Sequence, residues 1–187
     1  MRAHNTALFG TVLLIALGVT GCAATGPVTT GTPPPPATAA QAPGSSSTFG
    51  AGTATDFPCD QLLDSTTLGS LDAQLAPDAG FTPAAGSSAE EAVAVTGTAC
   101  SWSDASSQTT VVVTVAKPDA ATFATLKNQA GSADNQFGSF VSAYTKGTEL
   151  QLFTQDGYWA TADSPLLTDP AKVTTIGQAL IQVLPAG

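Results

Sequence analysis

The chain has 187 residues, which is enough for one folded domain or two small ones. Its formal charge is −9, from 5 basic and 14 acidic residues. Phosphate binding depends on Lys and Arg, so this charge argues against nucleic acid as a partner and predicts repulsion from anionic lipid headgroups.

Residues 1–21 are typical of an export signal. Arg2 gives a positive start, and the mostly apolar run ALFGTVLLIALGV (7–19) follows it. A membrane-spanning helix needs about 20 apolar residues, so this run is too short to span a bilayer. The alternative is a buried core helix, but the run has no amphipathic period and leads into a low-complexity tract. The sequence therefore predicts a signal peptide.

Cys22 directly follows Val19-Thr20-Gly21. This order resembles the bacterial lipobox, in which an aliphatic residue and two small residues precede a lipid-modified cysteine. Small residues let an extended backbone enter a peptidase cleft, and the thiol then accepts a diacylglyceryl group. We predict lipidation at Cys22 and attachment to the extracytoplasmic face of a cell membrane, because two or more acyl chains anchor a protein stably. The alternative is an ordinary signal peptide with an incidental cysteine.

Residues 22–55 are predicted to be the lipidated cysteine and a disordered linker. The tract 23–55 carries no charged residue and includes four consecutive prolines, 33–36. Such a composition cannot bury enough apolar surface to offset chain entropy. A plain spacer is the simplest interpretation, and O-glycosylation is the alternative that its Thr and Pro content leaves open.

Residues 56–187 are predicted to form a single folded domain with elements in the order α-β-β-α-β-β-β-α. Val111, Val113 and Val115 alternate as on one face of a strand, and Gln155-Asp156-Gly157 marks a hairpin turn. Strand pairs joined by short turns favour an antiparallel sheet with helices packed on one face, an α+β fold. The predicted elements are one or two short helices in 59–75, a loop at 76–91, strands at 91–104 and 108–117, a helix at 118–131, strands at 140–145, 148–154 and 157–162, and a helix at 168–185.

Three cysteines are an odd number for an exported chain. Cys59 and Cys100 both belong to the predicted domain and can pair in an oxidising compartment. Two free buried thiols are the alternative. A metal site is less supported, because no histidine or further cysteine is there to complete it. Trp102 is expected to pack near the bridge.

Removal of residues 1–21 would take away the only arginine and the only histidine, Arg2 and His4. No Ser-His-Asp or Cys-His arrangement could then form, and no histidine-ligated metal site. No Gly-rich phosphate loop is present either. We therefore predict no catalytic residue, no metal and no cofactor.

Carboxylates alone can hydrolyse glycosidic bonds when two of them face each other across a cleft. By residue type only, the candidates are Glu90, Glu91, Asp156 and Asp163, and surface charge is the preferred interpretation of each. Tyr158 and Trp159 should point to opposite faces of a strand. One would then be core, and the other could be an exposed aromatic platform for a ligand.

Three short motifs resemble a family of actinobacterial cell-surface lipoproteins that carry a domain of unknown function: Pro58-Cys59, then Leu62 or Leu63, and later Cys100-Ser101-Trp102. The resemblance covers about residues 59–184. It implies a disulfide between Cys59 and Cys100 and a location in the cell envelope, and it brings no catalytic residues.

These observations favour a lipid-anchored, extracytoplasmic binding or interaction module of a bacterial cell envelope. It would be non-catalytic, attached to the membrane through Cys22, and its ligand would be an unidentified envelope molecule or protein. One alternative is a carboxylate-dependent hydrolase of envelope polysaccharide. The other is an accessory subunit of an envelope complex.

Overall fold

The computed structural model describes residues 50–71, 74–134, 136–138 and 141–185. The predicted signal peptide, Cys22 and the linker as far as residue 49 lie outside the described residues. The described chain contains five α-helices, one 3₁₀ turn and seven strands that join in one sheet. In chain order they are β1 (Gly52–Thr53), α1 (Cys59–Leu62), α2 (Ser65–Leu71), β2 (Ala76–Pro77), α3 (Ser88–Ala94), β3 (Thr98–Asp104), β4 (Thr109–Pro118), α4 (Ala120–Ala130), β5 (Val141–Lys146), β6 (Glu149–Thr154), β7 (Trp159–Asp163), the 3₁₀ turn (Pro165–Thr168) and α5 (Pro170–Val183).

The sheet has the strand order β2-β3-β4-β7-β6-β5. The short strand β1 pairs with Lys117 and Pro118 at the end of β4, beyond the residues that pair with β3. Every pair is antiparallel. The predicted α+β class with an antiparallel sheet is therefore confirmed. β1 lies inside the stretch predicted to be linker, and the Thr55 hydroxyl donates to the Val115 carbonyl at 3.0 Å, so these small residues add to the sheet.

Helices cover both faces of the sheet, so the prediction that they pack on one face is wrong. The face that carries Val111, Val113 and Val115, here called the disulfide face, packs against α1, α2 and α5. The opposite face, here called the cleft face, packs against α3 and α4 around Trp159 and Phe153. β4 is central and buries side chains on both sides, which a single alternating pattern of valines does not reveal.

Helix α3 replaces part of the predicted loop at 76–91 and the beginning of the predicted strand at 91–104. Ser87 caps its first turn by accepting from the Glu90 amide at 3.2 Å, and the Glu90 carboxylate accepts from the Gly86 amide at 2.6 Å. This reciprocal arrangement resembles a capping box and starts a helix locally. The strand begins only at Thr98, after the Gly97 amide has closed the helix onto the Ala92 carbonyl at 2.8 Å.

The remaining elements lie close to their predicted ranges. The turn between β6 and β7 places Gly157 at a φ of +84°, and the Thr154 amide donates to the Tyr158 carbonyl at 2.9 Å. Asp169 caps α5 by accepting from the Ala171 amide at 2.9 Å. The hairpin fixes the register of β6 against β7, and this register positions the candidate site.

Candidate functional site

The predicted disulfide is present. Cys59 and Cys100 are joined with Cα atoms 5.7 Å apart, so the bond ties the start of α1 to β3. Cys100 and Trp102 are 2% and 1% exposed and belong to the same core on the disulfide face. The prediction that Trp102 packs near the bridge is confirmed.

Tyr158 and Trp159 project to opposite faces, as predicted. Trp159 is 1% exposed, lies against Phe153 with ring centroids 6.5 Å apart, and belongs to the core of the cleft face. Tyr158 is half-buried; the Lys117 ammonium lies 4.7 Å from its ring centroid and Phe57 meets it edge-on at 6.0 Å. Trp159 is therefore the core member of the pair, and Tyr158 is the partly exposed one, with Lys117 over its ring.

The cleft face is apolar at one end and polar at the other. At the apolar end, Ala116 pairs with Trp159, and Trp159 pairs with Phe153. Towards the other end of the same strands, Thr114 pairs with Thr161 and Val112 pairs with Asp163. Helix α4 packs over the apolar end, where Phe123 meets the Phe153 ring at 5.4 Å. Helix α4 does not extend over the polar end, which is covered by a shorter segment.

That cover is the segment 81–89, which runs over the polar end into the first turn of α3. Between this segment and the strands lies a cleft of about 280 Å³. Its floor comes from β4, β6 and β7, and its wall comes from the segment 81–89. The lining residues are Phe81, Ala84, Gly86, Ser87, Ser88, Ala89, Val112, Glu149, Thr161 and Asp163.

Two carboxylates on neighbouring strands meet in this cleft. Glu149 and Asp163 are register partners across β6 and β7, so their side chains project to the same face. The Ser88 hydroxyl donates to a carboxylate oxygen of Glu149. The Thr148 hydroxyl donates to Asp163 Oδ1 at 2.8 Å. Each carboxylate is thus positioned by one neighbouring hydroxyl and keeps further acceptor capacity.

The charge around the cleft is negative. Burial first, and then the negative charges of Glu149 and Glu90, raise the pKa of Glu91 above its usual value. Among the described lining residues none is basic. At the base of the cleft the hydroxyls of Thr161 and Thr114 lie 2.7 Å apart, and both residues are at most 2% exposed. The cleft therefore presents carboxylate acceptors above a base where the two threonine hydroxyls are paired with each other.

The structure separates the four carboxylates that the sequence singled out. Asp163 lines the cleft, and Glu90 and Glu91 flank it on α3. Asp156 lies in the hairpin turn and does not line it. Sequence reasoning missed Glu149, although the predicted turn centred on Asp156 contained the signal. Counting outward from that turn places Glu149 opposite Asp163.

A second concavity lies on the disulfide face, beside the bond between Cys59 and Cys100. It measures about 410 Å³ between α1, α2 and the β2–β3 edge. Its walls are mostly apolar and include Leu63, Leu68 and Trp102. These leucines belong to, or pack against, the core of that face, so the groove is a surface extension of the core.

Within the described ranges, no group of three or more His, Cys, Asp or Glu side chains is arranged to hold a metal ion. None of the helices in the described part of the chain is long and apolar enough to cross a membrane. No protein-family model, no curated protein and no solved structure matches this chain.

Proposed function

We propose that this chain is a lipid-anchored, extracytoplasmic binding module of a bacterial cell envelope, attached through Cys22 and acting without catalysis. The cleft beneath the segment 81–89 is its ligand site. The disulfide domain is the folded part that presents this site, and the linker before it is the tether.

The anchor rests on Val19-Thr20-Gly21-Cys22 at the end of a signal-length apolar run. The bond between Cys59 and Cys100 supports an extracytoplasmic location, because disulfides persist in oxidising compartments and are rare in the cytosol. The pairing also leaves Cys22 as the odd cysteine, and lipidation gives it a role. The resemblance of Pro58-Cys59 and Cys100-Ser101-Trp102 to motifs of actinobacterial cell-surface lipoproteins supports the same location.

The single observation that carries a binding role is the cleft itself. It is concave, it combines an aromatic ring with a few converging polar groups, and it lies where the helices leave the sheet face open. Ligand sites in proteins usually have this character. The hydroxyls that line the cleft have partners within the fold, whereas the carboxylates of Glu149 and Asp163 keep acceptor capacity for a ligand.

The anchor is tested by cell fractionation of the full chain and of Cys22→Ser. We expect the wild-type protein in the membrane fraction, and Cys22→Ser either released or left unprocessed at its signal peptide. Thr20→Ser is the matched control, because it keeps a small residue before the cysteine and should behave as wild type. Unchanged processing and membrane retention of Cys22→Ser would refute lipidation at this residue.

The binding role is tested by incubating the immobilised full chain with wall polysaccharide, lipid vesicles and envelope proteins in separate experiments. We expect one fraction to be retained, and Asp163→Lys to abolish its retention by reversing a charge in the cleft. Asp156→Lys makes the same change outside the cleft and should have no effect. Retention of no fraction would contradict the proposal. A protein partner that resists Asp163→Lys would instead favour an accessory subunit.

One observation favours the hydrolase alternative. Glu149 and Asp163 are register partners, and such pairs place their Cβ atoms about 4.5–5.5 Å apart. Glycosidases use two carboxyl groups about 5–9.5 Å apart, and side chains that start from neighbouring Cβ atoms on one face can adopt such a separation. Release of reducing sugar from envelope polysaccharide, abolished by Glu149→Gln and by Asp163→Asn, would establish this alternative over a binding role.

A further inference from the structure

The hydrogen-bonding character of the cleft lining selects among ligand classes. The polar side chains that line it are Glu149, Asp163, Ser87, Ser88 and Thr161, and no described lining residue is Lys or Arg. Carboxylates only accept hydrogen bonds, and hydroxyls both donate and accept. Inside the cleft a phosphate or carboxylate ligand would lie beside two carboxylates, and the neighbouring cation, Lys146, lies outside the lining on β5. The ligand must therefore present hydrogen-bond donors and carry no negative charge.

The apolar part of the lining narrows the class further. Phe81 is half-buried in the wall, and Ala84, Ala89 and Val112 complete the apolar surface. At about 280 Å³ the cleft lies just below the volume range of most ligand pockets, about 300–1,000 Å³. This space fits a small ring that has an apolar face for Phe81 and hydroxyls at its edge for Glu149 and Asp163.

The register of the sheet also gives the site a direction. Val112, Asp163, Glu149 and Lys146 are successive partners across β4, β7, β6 and β5, so their side chains form one transverse row on the cleft face. Adjacent strands lie about 4.8 Å apart, which makes the row about 14 Å long. Asp163 and Lys146 are exposed, whereas Val112 and Glu149 are half-buried beside the cover. An extended chain of rings could thus continue from the cleft towards the β5 edge.

From this lining and this row we infer that the cleft binds the sugar rings of an uncharged glycan. This inference rests on the proposed binding function and names the ligand class of the same site. Ring hydroxyls donate to the carboxylates of Glu149 and Asp163, and the C–H face of one ring lies against Phe81. Anionic glycans are rejected, because their charges would lie beside these two carboxylates.

The inference is tested by calorimetric titration of the full chain in detergent. The probes are uncharged tetrasaccharides of several pentoses and hexoses, each with its sulfated counterpart. We expect at least one uncharged tetrasaccharide to bind and its sulfated form to bind at least tenfold more weakly. Phe81→Ala and Asp163→Asn should each weaken binding at least tenfold. Asp156→Asn, which makes the same chemical change in the hairpin turn, should change the Kd less than twofold.

Three results would overturn the inference: no uncharged tetrasaccharide binds at millimolar concentration, a sulfated form binds equally well, or Asp156→Asn weakens binding as much as Asp163→Asn does. Circular dichroism of each variant shows whether the fold is retained, and Glu149→Gln gives a second cleft variant that still accepts the Ser88 hydrogen bond. These failures are distinguishable from failure of the proposed function. That function would survive if a different envelope fraction were retained by the wild type and lost in Asp163→Lys.

Discussion

Removal of the disulfide should destabilise the domain mainly through its unfolded state. Cys59 and Cys100 are 41 residues apart in sequence, so the bond closes a loop that contains α1, α2, β2 and α3. In the chain-entropy model a loop of this length contributes about 4 kcal/mol at 25 °C. Small domains are stable by only about 5–15 kcal/mol, so the loss would be a large fraction of the total.

The variant for this experiment is Cys59→Ala/Cys100→Ala, because alanine leaves no polar group at the buried position of Cys100. Urea unfolding followed by tryptophan fluorescence should give a free energy of unfolding lower by about 4 kcal/mol. With a slope of about 1.5–2 kcal/mol/M the midpoint falls by about 2–3 M. The slope itself should rise, since the unfolded chain becomes less compact. A loss below about 1 kcal/mol would refute this reasoning.

The other stability predictions concern a close backbone contact and a buried carboxylate. Gly97→Ala should lower the free energy of unfolding by about 1–3 kcal/mol, because the added Cβ would lie 2.7 Å from two backbone oxygens. The control is Gly69→Ala in helix α2, where the added Cβ meets no atom within 4 Å. In the same urea experiment this variant should be more stable than wild type by about 0.4–1 kcal/mol. Equal losses in both variants would contradict the packing explanation. Glu91→Gln should stabilise the domain at pH 7 but not at pH 4. The pKa of Glu91 is raised in the folded state, so ionisation of this side chain lowers the free energy of unfolding once the pH exceeds the usual pKa of a glutamate. Glutamine removes this loss, and at pH 4 there is little loss to remove. Thermal melts at the two pH values check this, and a larger gain at pH 4 would contradict it.

Elements with local signals could be predicted from the sequence. Helix α5 was expected at 168–185 and is found at Pro170–Val183, because Asp169 caps it and Pro170 suits its first turn. The β6–β7 hairpin was expected from Gly157, which takes the positive φ that the turn requires. Such signals depend on a few neighbouring residues, so no knowledge of the rest of the chain is needed.

Helix α3 shows where this reasoning failed. Valines at 93 and 95 favoured a strand, although Ser87 and Glu90 have the spacing of a capping box. Inside the domain, Ala92 and Val95 of this segment bury against Ala116 on the cleft face. Tertiary packing thus supported the local cap and overrode β propensity, which depends strongly on context.

The distribution of helices over the two faces could not be predicted from periodicity alone. The alternating valines of β4 identify one buried face, but Thr114 on the other face is completely buried as well. Its hydroxyl is paired with that of Thr161, and a paired hydroxyl can be buried at little cost. From sequence, a threonine at such a position indicates a solvent-facing side, so the second layer of helices was missed.

The cleft could not be predicted either, because one of its sides belongs to the second layer that covers the cleft face. Asp163 was a candidate by residue type, but its partner Glu149 could be found only by extending the hairpin register, and Phe81, Ser87 and Ser88 only by folding their segment over the sheet. The carboxylate pair on the floor of the cleft could therefore be found from the local hairpin register, whereas the wall formed by residues 81–89 depends on tertiary folding.

The two faces of the sheet allow stability and binding to be separated. The disulfide and most of the large buried side chains lie on one face, whereas the cleft occupies the polar end of the other. Asp163 is exposed and contributes to neither core, so a change there should alter ligand binding with little effect on unfolding. Loss of the bond between Cys59 and Cys100 should have the opposite pattern, with an intact cleft for as long as the domain stays folded. The proposed ligand site can therefore be altered at Asp163 without removing a side chain from either core.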